Sequence, residues 1–270
     1  MKANVAHLAH RSLRYFESGG GRPVFLLHAF PLSADQWLPQ LHRVPPGFRF
    51  VAPDLRGFRG MGAAFEDPGL ASLSVDDYAQ DVLALATHLD LDRFVVCGVS
   101  MGGYVAFALQ RLAPSRVAGL VLSNTRAGAD SADARAGRDH MMALARQEGP
   151  EGIAREMVPR LLGETTRREQ PDLAEAVRRL IVVNSVDGIV TALGALKTRP
   201  DSTPGLDAIA CPALVITGNE DVIIPVSEAE VMQHGIPNAS LVVLPKVGHL
   251  SNLEEPGGWS RAVEKGLSSM

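Results

Sequence analysis

Short apolar segments alternate with amphipathic segments along most of this chain, and this alternation constrains the fold more than any other feature. The apolar segments are near-continuous runs of Val, Leu, Ile and Phe, as expected of strands that are covered on both faces. Amphipathic stretches such as 75–91, 102–114 and 227–235 have helical periodicity. The alternation predicts an α/β fold, in which a mostly parallel sheet has helices on both faces. The predicted strands are 23–30, 48–54, 93–99, 116–124, 212–219 and 239–246, with a weaker edge hairpin around 4–7 and 12–17.

The segment 126–200 interrupts this alternation. It contains four helical patterns separated by Gly and Pro, and one ambiguous apolar run at 180–186. Helices inserted between two strands favour a cap on the sheet rather than an independent domain. We therefore predict a core formed by residues 1–125 and 201–270, and a helical cap formed by residues 126–200. The predicted cap helices are 132–149, 151–163, 171–182 and 186–197.

Composition and charge narrow the class of protein. The chain has 270 residues, 46% of them hydrophobic, which is enough for one large α/β domain with a sizeable core. A net charge of −4 and the lack of a long Lys/Arg run argue against a nucleic-acid partner. No apolar segment approaches the length of a membrane span, so we expect a soluble, cytoplasmic protein with no membrane partner. The two cysteines, Cys97 and Cys211, have no further ligands at metal spacing, so we expect core residues and no metal site.

The first motif with chemical meaning is Gly98-Val99-Ser100-Met101-Gly102. The pattern G-x-S-x-G is weak by itself, but here it closes an apolar strand and opens a helix. That context is typical of a nucleophile elbow, a sharp turn that lifts a serine hydroxyl above the sheet. We therefore predict that Ser100 is a nucleophile.

A serine hydroxyl needs a base to take its proton, and the base needs a group that orients it. Of the eight histidines, His249 follows the last predicted strand through a short loop, where it can reach over the strand ends. Asp221 follows the strand at 212–219, which makes it the predicted acid. The adjacent Glu220 competes for that role. Asp54 also ends a strand, but we interpret it as a structural carboxylate that braces the loop 55–58.

The segment His28-Ala29-Phe30-Pro31, which follows the apolar run 23–27, is the predicted site of an oxyanion hole. Ester hydrolysis passes through a tetrahedral oxyanion, which two backbone N–H groups can bind. One donor is predicted to be Met101, the residue after the nucleophile, and the other Phe30. We interpret His28 as a buried hydrogen-bonding residue that shapes this loop rather than as a second base.

Five motifs are spread over almost the entire chain: HAFPLSADQW (28–37), APDLRGF (52–58), GVSMGGYVA (98–106), GNEDVIIP (218–225) and GHLSNLEEP (248–256). Together they resemble the α/β-hydrolase superfamily. Within it, the sequence is similar to small cofactor-free carboxylesterases, close to 3-oxoadipate enol-lactonases and to non-haem haloperoxidases.

The resemblance implies an α/β-hydrolase fold of about eight strands with a small helical cap. It also implies a covalent acyl-enzyme mechanism that uses no metal and no cofactor. Carried over by position, the catalytic residues are Ser100, Asp221 and His249, with Phe30 and Met101 as oxyanion donors. The chain departs from the family pattern at Ala29, where glycine is usual, and at 58–61, where the usual G-x-S is replaced.

The expected function is therefore that of a serine carboxylesterase acting on short-chain acyl esters, with a small-molecule ester as its partner. An enol-lactonase, a perhydrolase side reaction and a hydrolase-fold receptor for a small ligand are the alternatives. No sequence pattern indicates an oligomeric state. Apolar residues of the cap that are candidates for the pocket lining are Met141, Met142, Leu144, Met157, Leu161, Leu162 and Ile189.

Overall fold

The apolar segments form one sheet of eight strands in a computed structural model that describes residues 1–9, 11–59 and 73–270. The strands are β1 (Asn4–Leu8), β2 (Arg11–Gly19), β3 (Arg22–Leu27), β4 (Phe48–Pro53), β5 (Phe94–Val99), β6 (Val117–Ser123), β7 (Ala213–Gly218) and β8 (Ala239–Leu244). Their order across the sheet is β1-β2-β4-β3-β5-β6-β7-β8. The pairs β1–β2 and β2–β4 are antiparallel, and the other neighbours are parallel. The predicted parallel sheet and edge hairpin are thus confirmed.

The burial of their residues explains why the central strands could be recognised from the sequence. It also explains why the end of one strand was predicted too late. Every residue of β5 and β7 is buried, as their continuous apolar character indicates. In contrast, β8 lies at the edge of the sheet and buries only Leu244. The strand predicted over 23–30 ends at Leu27, because the buried residues Ala29 and Phe30 belong to the loop that follows it.

Helices cover both faces of the sheet. The helices of the core are α1 (Leu38–Leu41), α2 (Val75–His88), α3 (Met101–Leu112), α8 (Val226–Gly235), α9 (Ser251–Glu254) and α10 (Pro256–Leu267). The helix α3 packs against β3, β5 and β6, and α10 packs against β6, β7 and β8. The predicted N-cap of α2 is present: the Ser74 hydroxyl accepts the Asp77 N–H, and the Asp77 carboxylate accepts the Ser74 N–H.

Four helices lie between β6 and β7 in the chain, and we call them the helical insertion. They are α4 (Ala132–Leu161), α5 (Glu164–Glu169), α6 (Pro171–Val182) and α7 (Val186–Lys197). The range of α4 contains a break at Gly149, whose φ of 67° is not helical, so α4 consists of two helical segments, as predicted for 132–149 and 151–163. The short helix α5 was missed, and the ambiguous run 180–186 contains the end of α6 and the start of α7 rather than a strand.

A buried carboxylate joins the two ends of the insertion. Asp130 accepts hydrogen bonds from Arg126 (2.7 Å), Arg138 (3.1 Å) and Arg199 (2.5 Å). Burial alone would raise the pKa of Asp130, but the charges of Arg138 and Arg199 hold it below its usual range. The Ser202 N–H also donates to the Ala127 carbonyl at 2.9 Å. The segments that leave and rejoin the core are therefore fastened to each other.

Candidate active site

Ser100 occupies a strained turn between β5 and α3. Its φ of 54° lies in the left-handed region, which non-glycine residues seldom adopt. The turn is held by two hydrogen bonds, from the Ser100 N–H to the Ser123 carbonyl (2.9 Å) and from the Thr125 hydroxyl to the Ser100 carbonyl (2.8 Å). A Cβ atom at Gly98 would overlap the Gly102 carbonyl, so the close approach requires glycine. This is the strand–turn–helix geometry that the G-x-S-x-G pattern predicted.

His249 and Asp221 are in direct contact. The His249 Nδ1 atom lies 2.8 Å from Asp221 Oδ2, and both residues are buried. A carboxylate only accepts hydrogen bonds when ionised, so Nδ1 carries the proton and Nε2 is the basic nitrogen of the ring. The two residues come from the loops after β7 and β8, which are neighbours in the sheet.

The Asp221 carboxylate is held in its ionised form by four donors. Besides His249, these are the Ile223 N–H and Ile224 N–H on Oδ1, each at 2.9 Å, and the Asn124 amide on Oδ2, also at 2.9 Å. Burial alone would raise the pKa of Asp221, but His249 and the hydrogen bonds from Ile224 and Asn124 lower it below its usual range. The site therefore keeps a negative charge directly beside the imidazole.

Glu220, the competing acid, faces the helical insertion instead. Its carboxylate accepts the Thr165 N–H at 2.7 Å and the Thr165 hydroxyl at 2.6 Å. These bonds lower the pKa of Glu220. Within the described residues it makes no hydrogen bond to His249, so the geometry favours Asp221 as the acid.

The proposed oxyanion donors lie at the ends of β3 and β5. Phe30 and Met101 are both buried, and Met101 is the first residue of α3. In the described part of the chain, neither backbone N–H donates to another protein group. Because the first N–H groups of a helix have no acceptor inside it, Met101 presents a free donor beside Ser100.

His28 shapes the loop 28–31, as the sequence predicted; we call this segment the oxyanion loop because it carries the predicted donor Phe30. Its Nε2 accepts the Leu55 N–H at 3.0 Å, so its Nδ1 carries the proton and donates to the Ala29 carbonyl at 3.0 Å. Burial lowers the pKa of His28 to about 4, and the ring is neutral. The Ala29 N–H donates to Gln36 Oε1 at 2.8 Å, which fixes the loop from its other side.

Asp54 is structural, but it does not brace the loop 55–58 as predicted. Its carboxylate accepts the Ala34 N–H and an Arg14 N–H, both at 2.7 Å, and so it holds the turn that follows the oxyanion loop. Burial raises the pKa of Asp54 to about 6, although Arg14 opposes this. Of the altered loop 58–61, Phe58 packs its ring on His28, with 4.9 Å between centroids, while Gly60 and Met61 lie outside the described residues.

Two asparagines near the site were not identified from the sequence. The Asn124 amide donates to Asp221 Oδ2 and to the Gly248 carbonyl (3.0 Å), and its oxygen accepts the Ser251 hydroxyl (2.5 Å). An asparagine at the end of a predicted strand was the available signal, since asparagine tolerates the left-handed region, and Asn124 has a φ of 46° in the structure. Asn184, from the insertion, donates to the Pro31 carbonyl at 2.8 Å beside the oxyanion loop.

The candidate lining residues of the insertion fall into two groups. Leu161, Leu162 and Ile189 are buried, and the others are half-buried against the hydrophobic core. Among the described residues, no group of three or more His, Cys, Asp or Glu side chains is arranged to hold a metal ion. Among those same residues, no single helix is long and apolar enough to span a membrane, although α6 and α7, bent by 95°, are long and apolar enough as a pair.

Comparisons with known proteins agree with the geometry. A thermophilic esterase from Thermogutta terrifontis, solved with malate bound, is 37% identical, with a TM-score of 0.91 over 99% of this chain and 98% of that one. The 3-oxoadipate enol-lactonase 2 of Acinetobacter baylyi is 30% identical over 90% of this chain and 88% of its own length. The enol-lactonase of Burkholderia xenovorans LB400 is 26% identical, with a TM-score of 0.88 over 98% of this chain and 100% of that one.

All the sequence motifs that suggested a family lie within the match to a single family model. The model of the α/β hydrolase fold family matches residues 22–256, which include every candidate site residue. Together with the eight-stranded sheet and the relatives above, this confirms the resemblance. The chain belongs to the α/β-hydrolase fold family.

Proposed function

We propose that this protein is a serine carboxylesterase that hydrolyses short-chain acyl esters through an acyl-enzyme intermediate. The observation that carries the proposal is the 2.8 Å hydrogen bond between His249 and the ionised Asp221. Because β5, β7 and β8 run parallel, these two residues and the Ser100 turn all follow strand ends at the same edge of the sheet. This arrangement supplies a nucleophile, a base with the correct tautomer and a charge that stabilises the protonated base.

Acylation follows from these roles. The ester carbonyl binds with its oxygen toward the N–H groups of Phe30 and Met101. The Ser100 hydroxyl attacks the carbonyl carbon while His249 Nε2 takes its proton, and the developing oxyanion is stabilised by the two N–H donors. As the tetrahedral intermediate collapses, the bond to the alkoxy oxygen breaks and His249 gives its proton to the leaving alcohol.

Deacylation repeats the same steps with water. His249 removes a proton from a water molecule, whose oxygen attacks the acyl carbon. The second tetrahedral intermediate releases the carboxylic acid as the proton returns to Ser100 Oγ. Proton transfer and charge stabilisation come from protein groups throughout, so we propose a reaction without metal or cofactor, on a small-molecule ester in the cytoplasm.

The preference for short acyl chains is inferred from the insertion. We propose that it caps the site, with Leu161, Leu162 and Ile189 on its inner side. Each methylene of the acyl chain adds roughly 0.8 kcal/mol of binding free energy only while it is buried. A pocket covered by the insertion therefore limits the length of the acyl chain. The similarity to the Thermogutta terrifontis esterase supports an ester substrate.

A second candidate is hydrolysis of an enol-lactone. The 30% identity to a 3-oxoadipate enol-lactonase over 90% of the chain favours it. A lactone is a ring ester, so the same residues act on it, and the leaving oxygen remains attached to the acyl product. The two functions differ only in the substrate.

Measuring kcat/KM on p-nitrophenyl esters of increasing chain length, together with a series of lactones, tests both. We expect kcat/KM to rise from acetate to butyrate or hexanoate and then to fall steeply, with little hydrolysis of palmitate. An optimum at long chains would contradict the proposed cap. A flat and barely measurable ester series with rapid lactone opening would favour the lactonase, and no turnover of either class would overturn the enzymatic proposal.

A further inference from the structure

Glu254 is a buried carboxylate that the mechanism above does not use. It lies in α9, five residues after His249, and only 4% of its surface is exposed. Its Oε1 atom accepts the Leu250 N–H at 3.0 Å. Its Oε2 atom accepts the Gly248 N–H at 3.0 Å and the Gly163 N–H at 2.8 Å. Two of these three donors are the backbone neighbours of His249.

The charge of Glu254 is balanced by backbone dipoles rather than by a cation. No salt bridge to Glu254 is found within the residues that the structure describes. Burying a carboxylate is costly unless its oxygens are hydrogen-bonded, and three N–H donors to an ionised acceptor form strong bonds. Because those bonds restrain the chain on both sides of His249, they fix the backbone from which the imidazole projects.

The third donor connects the same carboxylate to the helical insertion. Gly163 lies between α4 and α5, and a Cβ atom there would come within 2.9 Å of the Gly248 nitrogen. The Leu250 N–H is also 3.2 Å from the Leu161 carbonyl. The segment Leu161–Gly163 thus packs directly on the loop that carries His249. A carboxylate that served only to cap α9 would need neither the Gly248 nor the Gly163 donor.

We infer that Glu254 is a positioning residue, which holds the His249 loop against the insertion so that the imidazole is aligned between Asp221 and Ser100. The inference rests on the proposed function, in which His249 is the base. Reacting groups must be aligned closely for proton transfer, and a displacement of about 1 Å costs roughly a hundredfold in rate. The substitution Glu254→Gln removes this restraint while keeping the size of the side chain.

The structure defines why glutamine cannot replace glutamate here. A carboxylate accepts on both oxygens, whereas an amide has one oxygen and one NH2 group. In either orientation of the amide that Glu254→Gln introduces, the NH2 group faces at least one of the three backbone N–H donors. Glu220→Gln is the matched control, because Glu220 accepts an N–H of the same insertion, from Thr165, but none beside His249.

The experiment compares wild type, E254Q and E220Q. Active sites are titrated with diethyl p-nitrophenyl phosphate, in which the serine oxygen attacks phosphorus and one p-nitrophenolate leaves per site. We expect kcat per titrated site on p-nitrophenyl butyrate to fall roughly a hundredfold in E254Q, with little change in KM. In E220Q, kcat should stay close to wild type. The conservative variant E254D, which keeps the charge but shortens the side chain, should lose less than E254Q.

A second readout does not depend on turnover. The proton shared by His249 Nδ1 and Asp221 gives a low-field 1H NMR signal, which should shift or broaden in E254Q and remain in E220Q. If E254Q lowers only the number of titrated sites while kcat per site and the NMR signal are retained, Glu254 has a purely structural role and the inference is overturned. Failure of both E254Q and E254D to fold would overturn it equally. An inactive wild type would refute the proposed function, while the NMR comparison would still decide the role of Glu254.

Discussion

The substitution Asp221→Asn tests the central hydrogen bond of the site while changing the size of the side chain very little. The four donors around the carboxylate determine its effect. If the new NH2 group replaces Oδ1, it meets the N–H groups of Ile223 and Ile224. If it replaces Oδ2, it meets the Asn124 amide and His249. The second orientation is the less costly one, because Asn124 and His249 are side chains that can rearrange.

In that orientation, the NH2 group must donate to His249, whose Nδ1 then becomes the acceptor. The ring proton moves to Nε2, and the nitrogen that faces the nucleophile is no longer a base. The negative charge that stabilises the imidazolium is lost as well. When Asp is replaced by Asn in a Ser-His-Asp triad, the histidine adopts the wrong tautomer and kcat falls roughly ten-thousandfold. This corresponds to about 5.4 kcal/mol in the activation barrier. We expect a loss of this order here.

The assay is kcat for p-nitrophenyl butyrate at neutral pH, with urea unfolding to show that D221N is folded. The control is Glu220→Gln, which has the same change in charge one residue away and should retain most of the activity. If D221N keeps activity within about tenfold of wild type, the charge beside His249 contributes little to the barrier. A larger loss in E220Q than in D221N would move the acid to Glu220.

Three further predictions can be checked with the same preparations. Ser100→Ala should remove nearly all hydrolysis without unfolding the protein, because the triad acts as a unit, and wild-type turnover in the folded variant would refute the nucleophile. Activity should be unaffected by EDTA, because protein groups carry out every proton transfer of the proposed reaction; inhibition by EDTA that a divalent ion reverses would refute the cofactor-free mechanism. Burial lowers the pKa of His28 from 6.5 to about 4, so below pH 6.5 the unfolded chain binds a proton that the folded protein does not. Stability should therefore decrease from pH 7 to pH 5 by about 2 kcal/mol on account of His28, and urea titrations of His28→Gln that show the wild-type pH dependence would contradict this.

The sequence predicted those elements that are determined by residues close together in the chain. The strands β5 and β7 were recognisable because both of their faces are buried, and the Ser100 turn was recognisable because its glycines adjoin a strand and a helix. The burial of an element depends on tertiary contacts and was predicted less well. The strand β8 lies where it was predicted, but its apolar character suggested full burial, whereas at the edge of the sheet two of its residues are exposed and three are half-buried.

Local sequence patterns identified some residues of the candidate site and failed to identify the residues that support them. Asp221 and His249 could be located because each follows a predicted strand. Asn124 acts through Asp221, which is 97 residues away, and Glu254 joins its two nearby donors to Gly163, which is 91 residues away. No local pattern specifies such partners. The role of Asp54 was misjudged for the same reason, since its partners Arg14 and Ala34 precede it by 40 and 20 residues.

The fastening of the insertion at Asp130 has a consequence for how this chain can change. Because Arg126 and Arg199 meet on one carboxylate, the closure of a segment of about 70 residues is stabilised at its base, independently of what the segment contains. Segments whose ends lie close together are the ones that tolerate replacement. We therefore predict that the insertion can be exchanged as a module as long as two features are kept: the arginine pair on Asp130, and a glycine where the insertion meets the His249 loop. If the insertion caps the site as proposed, the substrate range changes with it.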